Sequence, residues 1–502
     1  MKRLLILIVL VLTGCGDSEP EQAATKQDPI REIISQVNTS GTITDRQAES
    51  LGKAEDRLYL NGLTTITDKQ TESLSKAVNL QLNGLTSITD QQAESLSKIR
   101  SVRLSGLTTI TDEQAKSLSG VSDLYLNGLT AITDAQAESL SRVSKLYLKG
   151  LSTITDAQAE SLSKVERYLD LNGLTSLTDV QAESFCKLDY RLRVSDICIE
   201  QLLSFQQKTI AKINSSGIIT DEQIELLRNF RGDNLDLSGL ASITDDQINQ
   251  LSKNSSLKLD GLKSITDEQA DSLIKIENLE LNGLTSITNH QAKLLGNRSW
   301  YSSSLKTLSL NGLTTLTDQQ ADSLIKIKGL ELNGLTSITN HQAKLLGNSS
   351  LNLQLNGLTS ITDKQAELLK KVKTKLFLNG LTTISDEQAE SLGYMPWLEL
   401  NGVTSITSKQ AEMLSHIERL SLNGLTSITD QQAESLSGVK DLYLNGLTTI
   451  TDNQAEILSK IKWLSLTGLT SITDLQVESL SRVDQLIISE ALQPLIDKYK
   501  SQ

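Results

Sequence analysis

The side chains that most often carry out chemistry are few in this sequence, and they form no recognisable catalytic pattern. The 3 histidines, His290, His341 and His416, occupy ordinary positions of a repeated sequence. The sequence contains no nucleophile elbow, phosphate-binding loop or Cys/His metal spacing. Catalysis needs unlike residues that converge in a pocket, whereas a repeated sequence places like residues in rows. The sequence therefore predicts no enzyme activity, no metal site and no cofactor.

A Thr-Asp pair recurs along the chain, as at Thr133-Asp134, and regularly spaced carboxylates can suggest a row of calcium ligands. Gln136 follows Thr133 at a distance of three residues. In this spacing the Thr hydroxyl accepts from a backbone N–H at a helix start, and the glutamine reaches back to the threonine backbone. An acidic residue is also favourable at a helix N-terminus. The pairs therefore predict helix starts rather than calcium ligands.

Cys15 is the residue whose surroundings indicate covalent chemistry. The first three residues supply a basic start, Leu4–Leu12 is an unbroken apolar run, and Thr13-Gly14-Cys15 follows at once. The run is too short to span a membrane and predicts a signal peptide that is removed. The segment resembles a bacterial lipobox, which implies that the Cys15 thiol receives lipid and becomes the first mature residue. The alternative, an ordinary secretory signal with a chance cysteine, also predicts export.

The residues after this signal predict a tether. Residues 16–28 are polar and show no apolar periodicity, which is typical of a flexible link between a lipid and a fold. We therefore expect a lipoprotein signal peptide and lipobox at 1–15, a flexible tether at 16–28, and a lipid anchor in a membrane of the cell envelope. Gly16 and Asp17 do not distinguish an inner membrane from an outer membrane or the cell surface.

An internal repeat fills most of the chain. The sequence Leu-x-Leu-Asn-Gly-Leu-Thr-Ser-Ile-Thr-Asp recurs with small changes, usually with a period of 22 residues. The Ile or Leu before its Thr or Ser marks 19 clear copies, at positions 43, 66, 88, 110, 132, 154, 177, 219, 243, 265, 287, 316, 338, 361, 384, 406, 428, 450 and 472. The step from 177 to 219 is 42 residues, which predicts a degenerate copy near Leu192–Ile199. Such periodicity indicates a repeat array.

Each copy contains two different periodicities. Residues 124–126, Leu-Tyr-Leu, alternate with period two, which places both leucines on one face of a short strand. Asn127-Gly128 ends this strand, and Ala137 and Leu140 then share one face of a short helix. A unit of strand, turn and short helix is too small to bury its apolar face alone. Neighbouring units must therefore stack to form the core.

This unit resembles the leucine-rich repeat, most closely its cysteine-containing subtype, and with the signal at Cys15 the chain resembles a bacterial leucine-rich-repeat lipoprotein. In one copy the matching residues are Ile99, Val102, Leu104, Ile110, Thr111, Asp112, Ala115 and Leu118. The resemblance covers about 450 of the 502 residues. It implies an α/β leucine-rich-repeat solenoid with a parallel sheet on the concave face and short helices on the convex face. In this chain Leu107 and Leu129 replace the family's buried Cys or Asn, and Asn127 comes two residues earlier, so the turn backbone is expected to be satisfied differently.

Similar segments predict two capped blocks. Residues 192–196 resemble residues 486–490 near the C-terminus, so both are expected to end a run of repeats. Residues 210–217 resemble residues 34–41, so both are expected to begin one. Exposed ends of a solenoid need polar covering. We therefore expect a first block at 29–206 and a second block with a C-terminal cap at 207–502. The alternative is one continuous array with a decayed repeat.

Two further cysteines, Cys186 and Cys198, both lie at the junction between these blocks. An exported protein resides in an oxidising compartment, where a disulfide between them can form. Such a bond would close a short loop at the least regular point of the array. Two buried thiols are the alternative.

The strand face that is not buried carries side chains that vary while the leucines do not. Variation on a constant lattice predicts a binding surface. Phe377 is expected near Trp397, and Tyr443 near Trp463, on adjacent strands about 4.8 Å apart. Exposed aromatic side chains are typical interface anchors, although cross-strand aromatics can simply stabilise a sheet. The candidate binding residues are Tyr59, Arg103, Tyr125, Tyr147, Phe377, Trp397, Tyr443 and Trp463.

The charge narrows the class of partner. The net charge of −13 disfavours nucleic acid and, apart from the lipid, a polybasic membrane contact. The expected function is therefore that of a lipid-anchored scaffold which binds a protein or glycan partner through its concave strand face. The alternative is a structural envelope spacer without a specific ligand.

Overall fold

The computed structural model describes residues 29–53, 57–188, 191–297, 305–348 and 352–500. Cys15, the predicted signal at 1–15 and the predicted tether at 16–28 lie outside the described residues. Among the residues described, no helix is both long enough and apolar enough to cross a membrane.

Short parallel strands recur along the described residues. They are β1 Arg57–Tyr59, β2 Asn79–Gln81, β3 Ser101–Arg103, β4 Asp123–Tyr125, β5 Lys145–Tyr147, β6 Tyr168–Leu171, β7 Leu192–Val194, β8 Leu235–Asp236, β9 Ser256–Lys258, β10 Asn278–Glu280, β11 Thr307–Ser309, β12 Gly329–Glu331, β13 Asn352–Gln354, β14 Lys375–Phe377, β15 Trp397–Glu399, β16 Arg419–Ser421, β17 Asp441–Tyr443, β18 Trp463–Leu466 and β19 Gln485–Ile488.

Helices alternate with these strands. They are α1 Pro29–Ser40, α2 Asp45–Gly52, α3 Asp68–Leu74, α4 Asp90–Leu96, α5 Asp112–Leu118, α6 Asp134–Leu140, α7 Asp156–Leu162, α8 Asp179–Cys186, α9 Asp196–Ser216, α10 Asp221–Leu227, α11 Asp245–Leu251, α12 Asp267–Leu273, α13 Asn289–Leu295, α14 Asp318–Leu324, α15 Asn340–Gly347, α16 Asp363–Leu369, α17 Asp386–Leu392, α18 Ser408–Leu414, α19 Asp430–Leu436, α20 Asp452–Leu458, α21 Asp474–Leu480 and α22 Gln493–Lys500.

The chain forms two compact units, one up to Leu174 and one from Thr175 onward. In the first unit β1 to β6 pair in chain order, all parallel and with leucine or valine opposite leucine, as Leu124 opposes Leu146. In the second unit β8 to β19 pair in the same way. Helices stack beside helices. The predicted α/β leucine-rich-repeat solenoid is therefore confirmed.

The core of each repeat follows the two predicted periodicities. Leu124 and Leu126 of one strand are completely buried, and so are Ala137 and Leu140 on the helix that follows. Leu129 in the turn is also completely buried. The buried side chains of one repeat pack against those of the next, and this lattice fills the interior with almost no aromatic rings.

The predicted capping boxes are present at the helix starts. The Thr133 hydroxyl accepts from the backbone N–H of Gln136 at 3.0 Å, and the Gln136 side-chain carbonyl accepts from the backbone N–H of Thr133 at 2.9 Å. The same hydroxyl donates to the Asp112 carboxylate of the preceding repeat at 2.8 Å. The Thr-Asp pairs therefore begin helices, as predicted, and they also join neighbouring repeats.

The capping glutamines form a second link between repeats, which we name the glutamine ladder. The side-chain N–H of Gln136 donates to the backbone carbonyl of Ile110 at 2.8 Å, and Gln158 donates in the same way to Ile132 at 2.9 Å. Both glutamines are buried. A buried carbonyl without a hydrogen-bond partner destabilises the fold. Each glutamine supplies a donor to such a backbone carbonyl in the loop of the preceding repeat.

The asparagines after the strands form a further link, the asparagine ladder. The side-chain carbonyl of Asn356 accepts from the backbone N–H of Asn379 at 2.9 Å, and this pattern runs through most of the second unit. In the first unit Asn127 accepts from the backbone N–H of Lys149 at 3.2 Å. A polar ladder is thus present, at a position two residues earlier than in the family pattern.

The two segments that were predicted to begin a run have the same structure. Asn38 in α1 accepts from the backbone N–H of Gly62 at 2.8 Å, and Asn214 in α9 accepts from that of Gly239 at 2.9 Å. Each helix is followed by a left-handed glycine, Gly41 or Gly217, both with φ of 72°. Glycine is favoured there because a Cβ atom would clash with the backbone. The two segments therefore share these contacts, while their role as the starts of two blocks stays a prediction.

The junction contains a strand and a long helix. Near the predicted degenerate copy, β7 is followed by α9, whose N-cap is Ser195. The predicted boundary between residues 206 and 207 falls inside α9, whereas the two compact units divide between Leu174 and Thr175. The predicted division into blocks at 29–206 and 207–502 stays a prediction.

Both junction cysteines are buried thiols in this structure, which is the alternative to the predicted disulfide. Cys186 ends α8 and Cys198 lies in the first turn of α9. Burial raises the pKa of the Cys186 thiol to about 12, so this thiol is protonated at neutral pH.

Candidate functional site

The predicted row of variable side chains exists on the strand face of the first unit. Parallel pairing places equivalent residues side by side, so the row follows the register of the sheet. Tyr59 is 46% exposed, whereas Asp170 at the other end is buried and pairs with Lys149 at 3.5 Å. In chain order the row is Tyr59, Gln81, Arg103, Tyr125, Tyr147 and Asp170.

Three tyrosines of this face form a stack, which we name the tyrosine stack. The rings of Tyr125 and Tyr147 are parallel within 8°, with centroids 3.9 Å apart, and the Tyr168 ring lies 5.2 Å from that of Tyr147. Burial, followed by a hydrogen bond with Tyr125, raises the pKa of Tyr147 well above its ordinary value. The facing sides of the Tyr125 and Tyr147 rings therefore contact each other, whereas the Tyr168 ring is tilted by 44° to that of Tyr147.

Tyr168 was not among the predicted site residues. It lies one position before the strand leucine, which is also the position of Trp397 and Trp463. This shared position is the sequence signal by which Tyr168 could have been included among the predicted site residues.

A surface depression lies on the strand face beside the tyrosine stack. Its volume is about 370 Å³, and we name it the arginine depression because three guanidinium groups line it. Tyr59 and Tyr125 stand at its sides. Its lining residues are Arg57, Tyr59, Val78, Asn79, Leu80, Gln81, Arg100, Ser101, Arg103, Asp123 and Tyr125.

The charges of this depression are positive in a chain with a net charge of −13. Its carboxylate, Asp123, is engaged by Lys145 at 3.3 Å. Among the residues that the structure describes, no carboxylate forms an ion pair with Arg100 or Arg103. The Arg103 guanidinium lies 4.0 Å from the ring centroid of Tyr125, a cation–π contact. Two guanidinium groups therefore face solvent without a neutralising acid.

The strand face of the second unit is arranged differently around Trp397. Lys375 and Arg419 are its register partners on either side, with Lys375 Nζ 3.6 Å and Arg419 Cζ 4.9 Å from a ring centroid of the indole. Arg419 Nε also lies 2.6 Å from the buried carboxylate of Asp441. Phe377, on the adjacent strand as predicted, pairs with Glu399. Cations rather than a second ring therefore cover Trp397.

Tyr443 and Trp463 lie on adjacent strands, but neither is the direct register partner of the other. Tyr443 pairs with Ser421 and Ser465, and Trp463 pairs with Asp441 and with a residue of β19. Burial, followed by the charge of Asp441, raises the pKa of Tyr443. The indole Nε1 of Trp463 is buried and has no hydrogen-bond partner within the described part of the chain. Tyr443 and Trp463 therefore do not form the direct cross-strand aromatic pair that their positions suggested.

The residues that could do other chemistry are dispersed. His416 lies 5.4 Å from the Tyr394 ring on the helix side, and His290 lies beside acidic residues of α11 and α12. Within the described ranges, no group of three or more His, Cys, Asp or Glu side chains is placed to hold a metal ion.

Comparisons with known proteins assign no family to this chain. No family model matches the chain, and no curated protein matches it. Among solved structures, the chain matches the crystal structure of an internalin from Listeria monocytogenes with 14% sequence identity. The match covers 93% of this chain and 98% of that chain, with a TM-score of 0.22. The stacked strands, polar ladders and capped helices carry the assignment, and by them each unit of this chain is a leucine-rich-repeat solenoid.

Proposed function

We propose that this chain is a lipid-anchored leucine-rich-repeat scaffold of the cell envelope that binds a protein partner through its strand face. The observation that carries the proposal is the arginine depression, where Tyr59 and two guanidinium groups face solvent beside a rigid tyrosine stack. Exposed tyrosine and arginine side chains on a rigid sheet are typical of protein interfaces.

Ring geometry favours a protein over a glycan. Sugars are commonly held against open faces of aromatic rings, but the facing sides of Tyr125 and Tyr147 lie against each other and the Trp397 indole is flanked by Lys375 and Arg419. Tyr59 alone is among the strongly exposed large side chains of the predicted set. The rim of mixed polar and aromatic groups is suited to peptide side chains and backbone.

The lipid anchor rests on the sequence around Cys15. Metabolic labelling of the full chain with a lipid precursor tests it. We expect label on the wild-type protein and none on Cys15→Ala, with the variant released from the membrane fraction. Export of an unlabelled wild-type protein would favour the ordinary secretory signal instead. The cysteine-containing subtype of the repeat stays a prediction, because Leu107 and Leu129 fill the position of its buried Cys or Asn.

Capture from the envelope of the source cell tests the binding function. The full chain is compared with the variant Tyr59→Ala/Arg103→Ala, and with a second-unit variant that has alanine at Phe377, Trp397, Tyr443 and Trp463. Tyr394→Ala is the matched control, because Tyr394 is 74% exposed and lies on the helix side. We expect enriched proteins that are lost with the first variant and retained with the control.

Each other outcome has a distinct meaning. Loss with the second-unit variant alone would move the binding surface to the second unit. Recovery of a glycan instead of a protein would contradict the protein partner. If wild-type and all variants recover the same background, the chain is better explained as a structural spacer.

A further inference from the structure

The arginine depression has the charge and shape to select one class of partner, and this inference rests on the proposed function. We propose that the depression binds an extended acidic segment of a protein, whose carboxylates are bound by Arg100 and Arg103. Tyr59 contacts the same segment beside these charges.

The charge distribution is the first support. Arg57, Arg100 and Arg103 line the depression, and its one acid, Asp123, is already engaged by Lys145. A guanidinium presents a planar fork of N–H donors that matches the two oxygens of a carboxylate. A carboxylate that enters the depression thus meets donors without displacing an existing ion pair of Arg100 or Arg103 in the described part of the chain.

The position of Arg103 is the second support. Its guanidinium lies 4.0 Å from the centroid of the Tyr125 ring, and Tyr125 is itself held by stacking against Tyr147. A guanidinium that lies over a ring keeps its N–H donors at its edge, because those donors lie in its plane. The tyrosine stack therefore fixes the fork before a ligand arrives, which reduces the conformational entropy lost on binding.

The remaining lining favours a peptide over a sulfated glycan. Asn79, Gln81 and Ser101 supply amide and hydroxyl groups that can meet a peptide backbone, and Tyr59 and Val78 are 46% and 45% exposed at the rim. A sulfated glycan carries charge along its whole length and would be repelled by the acidic remainder of a chain with net charge −13. A peptide with a few carboxylates carries less charge and experiences less of this repulsion.

Fluorescence anisotropy with defined peptides tests the inference on the full chain. The probes are fluorescein-labelled Glu-Ala-Glu-Ala-Glu and its glutamine counterpart, Gln-Ala-Gln-Ala-Gln. We expect the wild-type protein to bind the glutamate peptide at least about tenfold more tightly, because charge-assisted hydrogen bonds are roughly twice as strong as neutral ones. The preference is expected to weaken as salt is raised.

The variant Arg100→Gln/Arg103→Gln is expected to lose this preference. Its matched control is Arg142→Gln/Lys164→Gln, which makes the same change in net charge at two exposed positions outside the depression. The control is expected to bind as the wild type does. Unchanged circular dichroism and urea midpoint for both variants would show that neither has lost its fold.

Three results would overturn the inference. One is equal binding of the glutamate and glutamine peptides by the wild-type protein. Another is equal weakening by the control variant, which would make the effect one of net charge. The third is tighter binding of a sulfated heparin hexasaccharide than of the glutamate peptide. The proposed function is tested separately. Capture of a partner from the envelope that depends on Tyr59 would still support it after any of these three results.

Discussion

The side-chain carbonyl of Asn379 accepts a hydrogen bond from the backbone N–H of Asn401 at 2.9 Å, across two adjacent repeats of the second unit. Asn401 repeats the contact with the next turn, where it accepts from the backbone N–H of Asn423 at 3.1 Å and from the Ser421 hydroxyl at 2.6 Å. Each asparagine side chain therefore supplies a hydrogen-bond acceptor for a backbone N–H in the turn of the next repeat.

Replacement of one rung should destabilise the array measurably. In Asn401→Ala, the Asn423 N–H and the Ser421 hydroxyl lose their acceptor in a partly buried turn. We expect a loss of about 1–3 kcal/mol in the free energy of unfolding, measured in urea. Asn453→Ala is the control, because its hydrogen bond to Asp430 is exposed to solvent and its loss should have little effect. Equal midpoints for the two variants would contradict a structural role for the ladder.

The glutamine ladder should show a similar dependence. Gln114 donates to the Ile88 carbonyl at 2.8 Å and accepts from the Thr111 N–H at 3.0 Å, with 7% of its surface exposed. Gln114→Met keeps the side-chain length but removes both bonds, and we expect a loss of about 2 kcal/mol. The exposed Gln431 provides the comparison as Gln431→Met. Urea unfolding followed by circular dichroism measures both, and a neutral Gln114→Met would refute this role.

The glycine after each strand should be sensitive to a single methyl group. A Cβ on Gly128 would lie 2.4 Å from the carbonyl oxygen of Ser105 and 2.5 Å from that of Leu107, both backbone atoms of the preceding repeat. We expect Gly128→Ala to cost about 1–3 kcal/mol or more, because the turns must separate. Gly120 lies in the same unit, and a Cβ there has its nearest contact at 3.3 Å. Gly120→Ala should therefore be much milder, and equal melting temperatures would contradict the close approach.

The buried thiol of Cys186 predicts a dependence on alkaline pH. Burial raises its pKa from 9.0 to about 12. Below pH 9 the thiol is protonated in both states and its contribution to stability is complete. Between pH 9 and pH 12 the unfolded chain loses this proton while the folded chain retains it, so stability falls by at most about 1.4 kcal/mol per pH unit. Cys186→Ala should lack this component of the decline.

Thiol counting extends the same experiment to the predicted disulfide. With Cys186 and Cys198 reduced, the native protein should react slowly with iodoacetamide at pH 8, because the reactive species is the thiolate. In denaturant without reductant, both should then react. If the two cysteines react with iodoacetamide in denaturant only after a reductant is added, they instead form a disulfide in the exported protein.

The repeat lattice was predictable because its signals are local. The Thr133 and Gln136 capping box and the alternation around Leu124 each lie within a few residues, so sequence spacing implies the contact. The asparagine ladder was harder, because Asn127 and its partner Lys149 are 22 residues apart and the pattern does not show which way an amide faces.

The proposed binding surface was predicted only in part. Arg103 and Tyr59 were found because they lie between strand leucines. Arg100 was missed because it lies outside that alternation, before β3 begins, and its approach to the same depression depends on the turn that precedes the strand. Tyr125 was expected as an exposed anchor, but its contact with Tyr147 depends on rotamers that spacing does not determine.

The asparagine ladder also has a consequence for how this gene can change length. The ladder ends at Thr467, whose backbone N–H donates to the side-chain carbonyl of Asn445 but whose own side chain has no amide carbonyl to accept from the next repeat. Removal or duplication of one whole repeat rejoins equivalent atoms, and a repeat of 29 residues also keeps the ladder, since Asn282 accepts from the backbone N–H of Asn311. A length change between the asparagine and the capping glutamine of one repeat would instead misalign the two ladders. Evolution of this chain by unequal recombination is therefore expected to proceed in whole repeats.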